Sequence, residues 1–116
     1  MADHLALGRS GEDRAAEYLQ SIGYDIVARN KRYPLGEIDI LARDGQTLVI
    51  VEVKAGRTGK FGHAFLRVGP QKQHKLRTLA RRLSQDFPTS ALRIDLVNVD
   101  EAGEVLHLPN AVEATA

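Results

Sequence analysis

The stretch Thr47–Lys54, Thr-Leu-Val-Ile-Val-Glu-Val-Lys, constrains the fold of this chain more than any other. Leu48 to Val51 are consecutively apolar and mostly β-branched, so the segment offers no polar face to water. That is the pattern of a strand covered on both sides, at the centre of a sheet with layers above and below it. Into this strand the sequence sets an acid and a lysine, Glu52 and Lys54. Ionisable groups are costly in such a place unless something compensates them.

The covering layers are legible on either side. Ser10 with Asp13 three residues on resembles a capping box, so a helix is expected to start there. Ala15, Ala16, Leu19 and Ile22 follow at helical spacing, and Gly23 ends the run. Tyr24 to Arg29 reads as a strand, Pro34 and Gly36 as a turn, and Glu37 to Arg43 as a second strand. Asp44-Gly45 then gives a hairpin into Thr47–Lys54. Residues 55–69, rich in Gly and basic residues, read as a loop. Pro70 opens a second helix to about Gln85, with Leu76, Leu79, Ala80 and Leu83 on one face, and Pro88 stops it. Leu92 to Val99 is a fourth strand, and Glu104 to Leu108 a short fifth at an edge. The expected class is α/β, a mixed central sheet flanked by helices in the order α-β-β-β-α-β-β.

The 116 residues suit one domain, expected over 1–108 with 109–116 as a flexible tail. The absence of cysteine excludes disulfides and thiolate metal sites. The start lacks the apolar run of a signal peptide, and no stretch has the length of a transmembrane helix, so a cytoplasmic location without membrane contact is the expectation. Net charge is only +1. Yet from Lys54 to Gln85 there are nine Lys or Arg and no Asp or Glu. A block of one sign is a candidate phosphate-facing surface, with a solvated loop and helix face as the alternative.

With Asp44 and Gly45 as the two central turn residues, Asp39 faces Ile50 and Glu37 faces Glu52. Glu37, Asp39, Glu52 and Lys54 then share one face of the sheet. Asp39 and Glu52 are diagonal neighbours, and two carboxylates about 6 Å apart repel by roughly 3 kcal/mol at an effective dielectric near 20. One of them must protonate, pair with Lys54 or bind a cation. Oxygen ligands without sulfur point to a hard ion, Mg2+ or Mn2+. The chemistry this supports is phosphodiester hydrolysis, with Lys54 positioning water and offsetting charge. Arg57, Lys60, Lys72 and Lys75 are the candidate contacts to a nucleic-acid backbone. Glu12, at helical spacing from Ala15, Ala16 and Leu19, is either a rim residue or a further member of the site.

An Asp on one strand followed by Glu-x-Lys on the next, here Asp39 and Glu52-Val53-Lys54, resembles the PD-(D/E)xK nuclease superfamily. Gly11-Glu12, Gly23-Tyr24, Arg29-Asn30, Gly36-Glu37-Ile38-Asp39, Val51 to Lys54, Phe61-Gly62, Lys72 and Arg93-Ile94-Asp95 occur in order. Together they resemble the YraN-like family of small bacterial proteins over about residues 8–100. That family is similar to archaeal Holliday-junction resolvases. The resemblance implies a restriction-endonuclease-like core and a metal-dependent endonuclease acting on DNA, including branched or junction DNA. It implies metal roles for Asp39 and Glu52, a catalytic role for Lys54 and a supporting role for Glu12. Glu37 matches the motif and is a further candidate ligand, and a homodimer is implied. The chain departs from the family in one place: Ala55-Gly56-Arg57 stands where Thr-Arg follows the Lys, which bears on Arg57.

His4, His63, His74 and His107 lack metal-ligand spacing; His63 and His74, in the basic segment, read as surface histidines, with a phosphate contact as the alternative. Arg93 and Asp95 alternate on one strand face and read as a cross-strand ion pair. Phe61 and Phe65 read as closing the core or an interface rather than stacking on bases. Two other functions fit the same residues: a DNA-binding module without catalysis, and a structural or partner-binding domain whose acids and lysine pair with one another.

Overall fold

Helix α1 (His4–Ser21) leads into a meander of three strands, β1 (Asp25–Tyr33), β2 (Gly36–Asp44) and β3 (Thr47–Ala55). Helix α2 (Pro70–Asp86) then precedes β4 (Ala91–Val99) and β5 (Val105–Val112). The structure, a computed structural model, describes residues 4–56, 68–88 and 90–114, with side chains from Gly11 onward. Arg57, Lys60, Phe61, His63 and Phe65 lie outside the described residues, as does the side chain of His4.

The five strands form one sheet in the order β1-β2-β3-β4-β5. β3 and β4 run parallel and every other pair is antiparallel. The architecture is therefore the mixed α/β sheet with flanking helices, in the element order read from the sequence. β3 is the central strand, and its alternation divides the core in two. Val49 and Val51 pack under α1 with Ala15, Ala16 and Leu19. Leu48 and Ile50 pack under α2 with Leu76, Leu79, Ala80 and Leu83. Each such Val, Leu or Ile side chain taken from water contributes roughly 1.5–3 kcal/mol, which is why four apolar residues in succession fit here.

Several boundaries differ from the sequence reading. α1 begins at His4, six residues before Ser10. The local capping signal is overridden because the residues before it are also compatible with helix. Its end is as expected: Tyr24 N–H donates to Leu19 O (2.9 Å) and Gly23 N–H to Gln20 O (3.0 Å), a Schellman motif with Gly23 at φ +95°. The β2–β3 turn is centred on Gly45-Gln46, not Asp44-Gly45, because Asp44 pairs with Thr47. β5 runs to Val112, so residues assigned to a loose tail are partly built into the sheet. Val112 is buried against Ile94, and Asn110 N–H donates to Asp95 (2.9 Å).

Candidate active site

The corrected turn moves every β2 residue two places along β3, so Leu41 faces Ile50 and Ile40 faces Val51. A shift of two keeps each residue on its face and would bring Asp39 directly opposite Glu52. The ladder stops at Ile40, however. In place of the next backbone bond, Asp39 Oδ2 accepts the Val53 N–H at 2.9 Å.

The alternation of β2 breaks at the same residue. Ile40 packs under α1 whereas Ile38, two residues before, packs under α2. β1 does the same opposite. Asn30, which the pairs Arg29–Ile40 and Lys31–Ile38 set across from Asp39, has φ +55°. Asn is one of the few residues that takes this left-handed conformation at small cost. Both strands therefore turn over at the Asn30–Asp39 step. Glu37, next to Ile38, turns away from the α2 side and bonds the Arg32 Nε across the ladder at 3.1 Å. The one-face cluster of four expected from an unbroken hairpin is thus reduced: Asp39 and Glu52 are neighbours, and Glu37 is with Arg32.

Burial pushes the Asp39 carboxyl up to about 6. The Val53 N–H opposes the rise, Glu52 and Glu12 add to it, and Lys72 offsets part of it. Glu52 is held by Lys72 of α2, Nζ to Oε1 2.7 Å. Lys54 is exposed at the end of β3 and, among the described residues, forms no ion pair. Lys75, one helical turn after Lys72, lies across Gly36: a Cβ there would meet the Lys75 Cε at 2.6 Å. Glu12 comes from the α1 side. Gly11 beside it lies close to β3, a Cβ there falling 3.4 Å from Ala55 Cβ. Glu12 Oε1 accepts from Arg29 Nε (3.1 Å) and Asn30 Nδ2 (3.0 Å), so it anchors the turnover of β1 and adds its field to Asp39. Among the described residues no three Asp, Glu or His side chains gather into a complete ligand set.

A second polar centre forms around the Arg93–Asp95 ion pair expected from the sequence. Asp95 is fully buried on the α1 side of β4. It accepts from His107 Nε2 (2.8 Å), Arg93 Nε (2.8 Å) and Asn110 N (2.9 Å). Arg93 also donates to Asp44 (2.9 Å) and to the Tyr24 hydroxyl. His107 Nδ1 lies 3.4 Å from the Tyr18 hydroxyl. The His107 side chain is therefore buried, only 6% exposed. The Arg93–Asp95 pair lies within one strand, with Asp44 as its cross-strand partner. Burial pushes Asp95 up, but the bonds from His107, Arg93 and Asn110 outweigh it and hold the group below its ordinary range. The alternation of Arg93 with Asp95 was the available signal; their partners come from three other parts of the chain.

The family model described as "Uncharacterised protein family UPF0102" matches residues 11–99. A UPF0102 protein of Thermodesulfovibrio yellowstonii is 40% identical over 111 residues, covering 92% of this chain and 96% of its own. Another, from Leifsonia xyli subsp. xyli, is 40% identical over 118 residues, covering 97% and 100%. Among solved structures, the chain is similar to one in an EndoMS–dsDNA complex, with TM-score 0.48 and 19% identity. That match covers 72% of this chain and 34% of the other. It is also similar to Pyrococcus furiosus SfsA in complex with Ca2+, with TM-score 0.43, 16% identity, and 96% and 65% covered. The chain thus spans about a third of the first structure and about two thirds of the second.

Proposed function

We propose that this chain, which belongs to the uncharacterised protein family UPF0102, is a metal-dependent endonuclease that hydrolyses phosphodiester bonds in DNA. The observation that carries this reading is Asp39, a desolvated carboxyl held near pH 6 beside a second carboxylate. A shift of about two units corresponds to roughly 3 kcal/mol against the charged form. Groups displaced this far by burial and a like charge concentrate where chemistry is done.

The residues fit a hard divalent cation. Asp39 and Glu52 are oxygen donors with no sulfur beside them, and one Asp39 oxygen is fixed by the Val53 N–H. Mg2+ sites commonly take one or two carboxylates and complete their shell with water and phosphate oxygens. Asp39 and Glu52 would hold the ion. When bound, it supplies Lewis-acid polarisation of the phosphate and a lowered pKa for water. Lys72 neutralises Glu52 meanwhile, and becomes available to a phosphate oxygen once the carboxylate is otherwise engaged. Lys54, unengaged by a described acid, orients the attacking water and offsets the negative charge that builds on the phosphoryl oxygens. Overall, one ester P–O bond is replaced by a P–O bond from water, which loses a proton as the departing oxygen gains one. Glu12 acts indirectly, through Arg29 and Asn30. Glu37 can add a ligand only by leaving Arg32 and turning back toward Glu52.

The test is cleavage of labelled duplex, four-way junction, flap and single-stranded DNA with Mg2+, Mn2+ or EDTA. Wild type should cut only with metal, and Asp39→Asn and Glu52→Gln should each lose at least about a hundredfold. No cutting of any substrate with either metal would overturn the reading. The Lys72–Glu52 pair favours one alternative, a DNA-binding module without catalysis. It requires salt-sensitive binding that is unchanged in Lys54→Ala, with no cleavage.

A further inference from the structure

The β1–β2 hairpin has a feature that neither core uses. Its turn, Pro34-Leu35, carries the most exposed large hydrophobic side chain among the described residues. Leu35 is 59% exposed, against 42–45% for Ile22, Val27 and Leu106. A lone exposed leucine needs no explanation, but the surroundings of this one are specific.

The hairpin is seated on α2. Gly36, at φ +154°, lies against Lys75 and Leu79, and a Cβ would meet the Lys75 side chain at 2.6 Å and Leu79 Cδ1 at 3.9 Å. Residues 72, 75, 79 and 82 share one stripe of the helix. Leu79 is the apolar member that fastens the hairpin, and Lys72, Lys75 and Arg82 are cations beside it. The stripe begins at the acid pair, where Lys72 meets Glu52, and ends at Tyr33, where the Arg82 guanidinium lies 5.6 Å from the ring centroid. Lys31 lies 5.3 Å from the same ring, and the Arg32 side chain is 85% exposed. The two acids nearby are engaged, Glu37 with Arg32 and Asp86 by the Tyr33 hydroxyl at 2.7 Å. An apolar tip beside Lys75 and next to a stripe of cations suits a polyanion with an apolar interior. The turn also lines a concavity of about 300 Å³ between Arg32 and Glu37, beside the tip.

We propose that Leu35 is a wedge that enters DNA between base pairs at an easily unstacked step, while Lys75 and Arg82 hold the adjoining phosphates. Apolar side chains inserted in this way unstack a step and kink the duplex. Pyrimidine–purine steps such as TA yield most readily, and A-tracts resist. Leu35 precedes Asp39 by four residues of extended strand, about 13 Å. At 3.4 Å per base pair that distance is an upper bound, so the unstacked step lies within about four base pairs of the acid pair. The proposal rests on the nuclease reading only in taking DNA as the ligand.

The experiment is binding of the full chain, in EDTA, to duplexes carrying 2-aminopurine at a central TA step, at the same step beside a nick, or within an A-tract. Affinity and fluorescence at saturation are both read. Wild type should bind with strong salt dependence and brighten the TA and nicked probes several-fold, but not the A-tract. Leu35→Ala, an exposed change, should keep Kd within about tenfold and lose the brightening. Lys75→Ala with Arg82→Ala should weaken all three probes and reduce the salt slope by about two. Salt-sensitive binding by wild type without brightening, or brightening retained in Leu35→Ala, overturns the wedge and leaves the nuclease reading intact. Absence of binding overturns the wedge, and the cleavage assay then decides the nuclease reading separately.

Discussion

Asp39 and Asp95 are the same residue type, on strands either side of β3, and for both the dominant influence is burial, which disfavours charge. They end on opposite sides of the ordinary carboxyl range. Asp95 collects His107, Arg93 and a backbone N–H, and its charge is held. Asp39 has one backbone N–H and two acidic neighbours, and its proton is held. Burial does not decide what a carboxylate becomes; the number and sign of its partners do. The satisfied acid keeps its charge and fastens structure, and the unsatisfied one keeps its proton.

The comparison can be broken most sharply at Asp95. Asp95→Ala leaves Arg93 and His107 in a low-dielectric site without their anion, and should cost about 3–5 kcal/mol in urea unfolding. Asp39→Asn should do the reverse in metal-free buffer at pH 7. The amide oxygen still accepts from Val53, the charge is gone, and stability should rise by about 1–3 kcal/mol. A loss of stability there would mean Asp39 is not held against its preference.

Titration separates the two acids. Asp39 binds its proton more tightly folded than unfolded, so its contribution is fully present below about pH 4 and is lost as pH rises through about 6. Asp95 binds its proton less tightly folded, so its contribution is present above about pH 4 and is lost as pH falls below that. Stability measured against pH should therefore decline between pH 4 and 6 in wild type, and that decline should vanish in Asp39→Asn. Asn30→Ala is the mildest test. Losing the left-handed preference should cost about 1–2 kcal/mol, and Asn30→Gly less, as seen by thermal unfolding.

Much of this arrangement is legible from sequence because it is local. The apolar run at Thr47 to Val53 gives a central strand, and Asp44-Gly45 gives a hairpin within one residue of its true turn. The parity of Asp39 and Glu52 survives that error, because the displacement along the ladder is even. What does not show is whatever depends on several segments at once. Nothing near Asn30 announces that β1 and β2 turn over together, so Glu37 looked like part of the acid cluster. Nothing in the sequence shows the burial of His107, because its partners Tyr18 and Asp95 come from other elements of the chain. β5 looked short because Pro109 and Asn110 interrupt its pattern, whereas Asp95 fills that irregularity with its own carboxylate.

The single parallel pairing, β3 with β4, has a consequence for how the chain folds. β1 to β3 close through tight turns, and so do β4 and β5, whereas joining β3 to β4 must close a loop spanning residues 56–90. Loop closure of that length is the slow, entropically opposed step in a sheet otherwise built from neighbours. The meander that carries both Asp39 and Glu52 can thus assemble before α2 delivers Lys72. A meander formed ahead of α2 would hold two neighbouring acids without Lys72, and refolding should then be faster at low pH or with divalent ions than in neutral metal-free water.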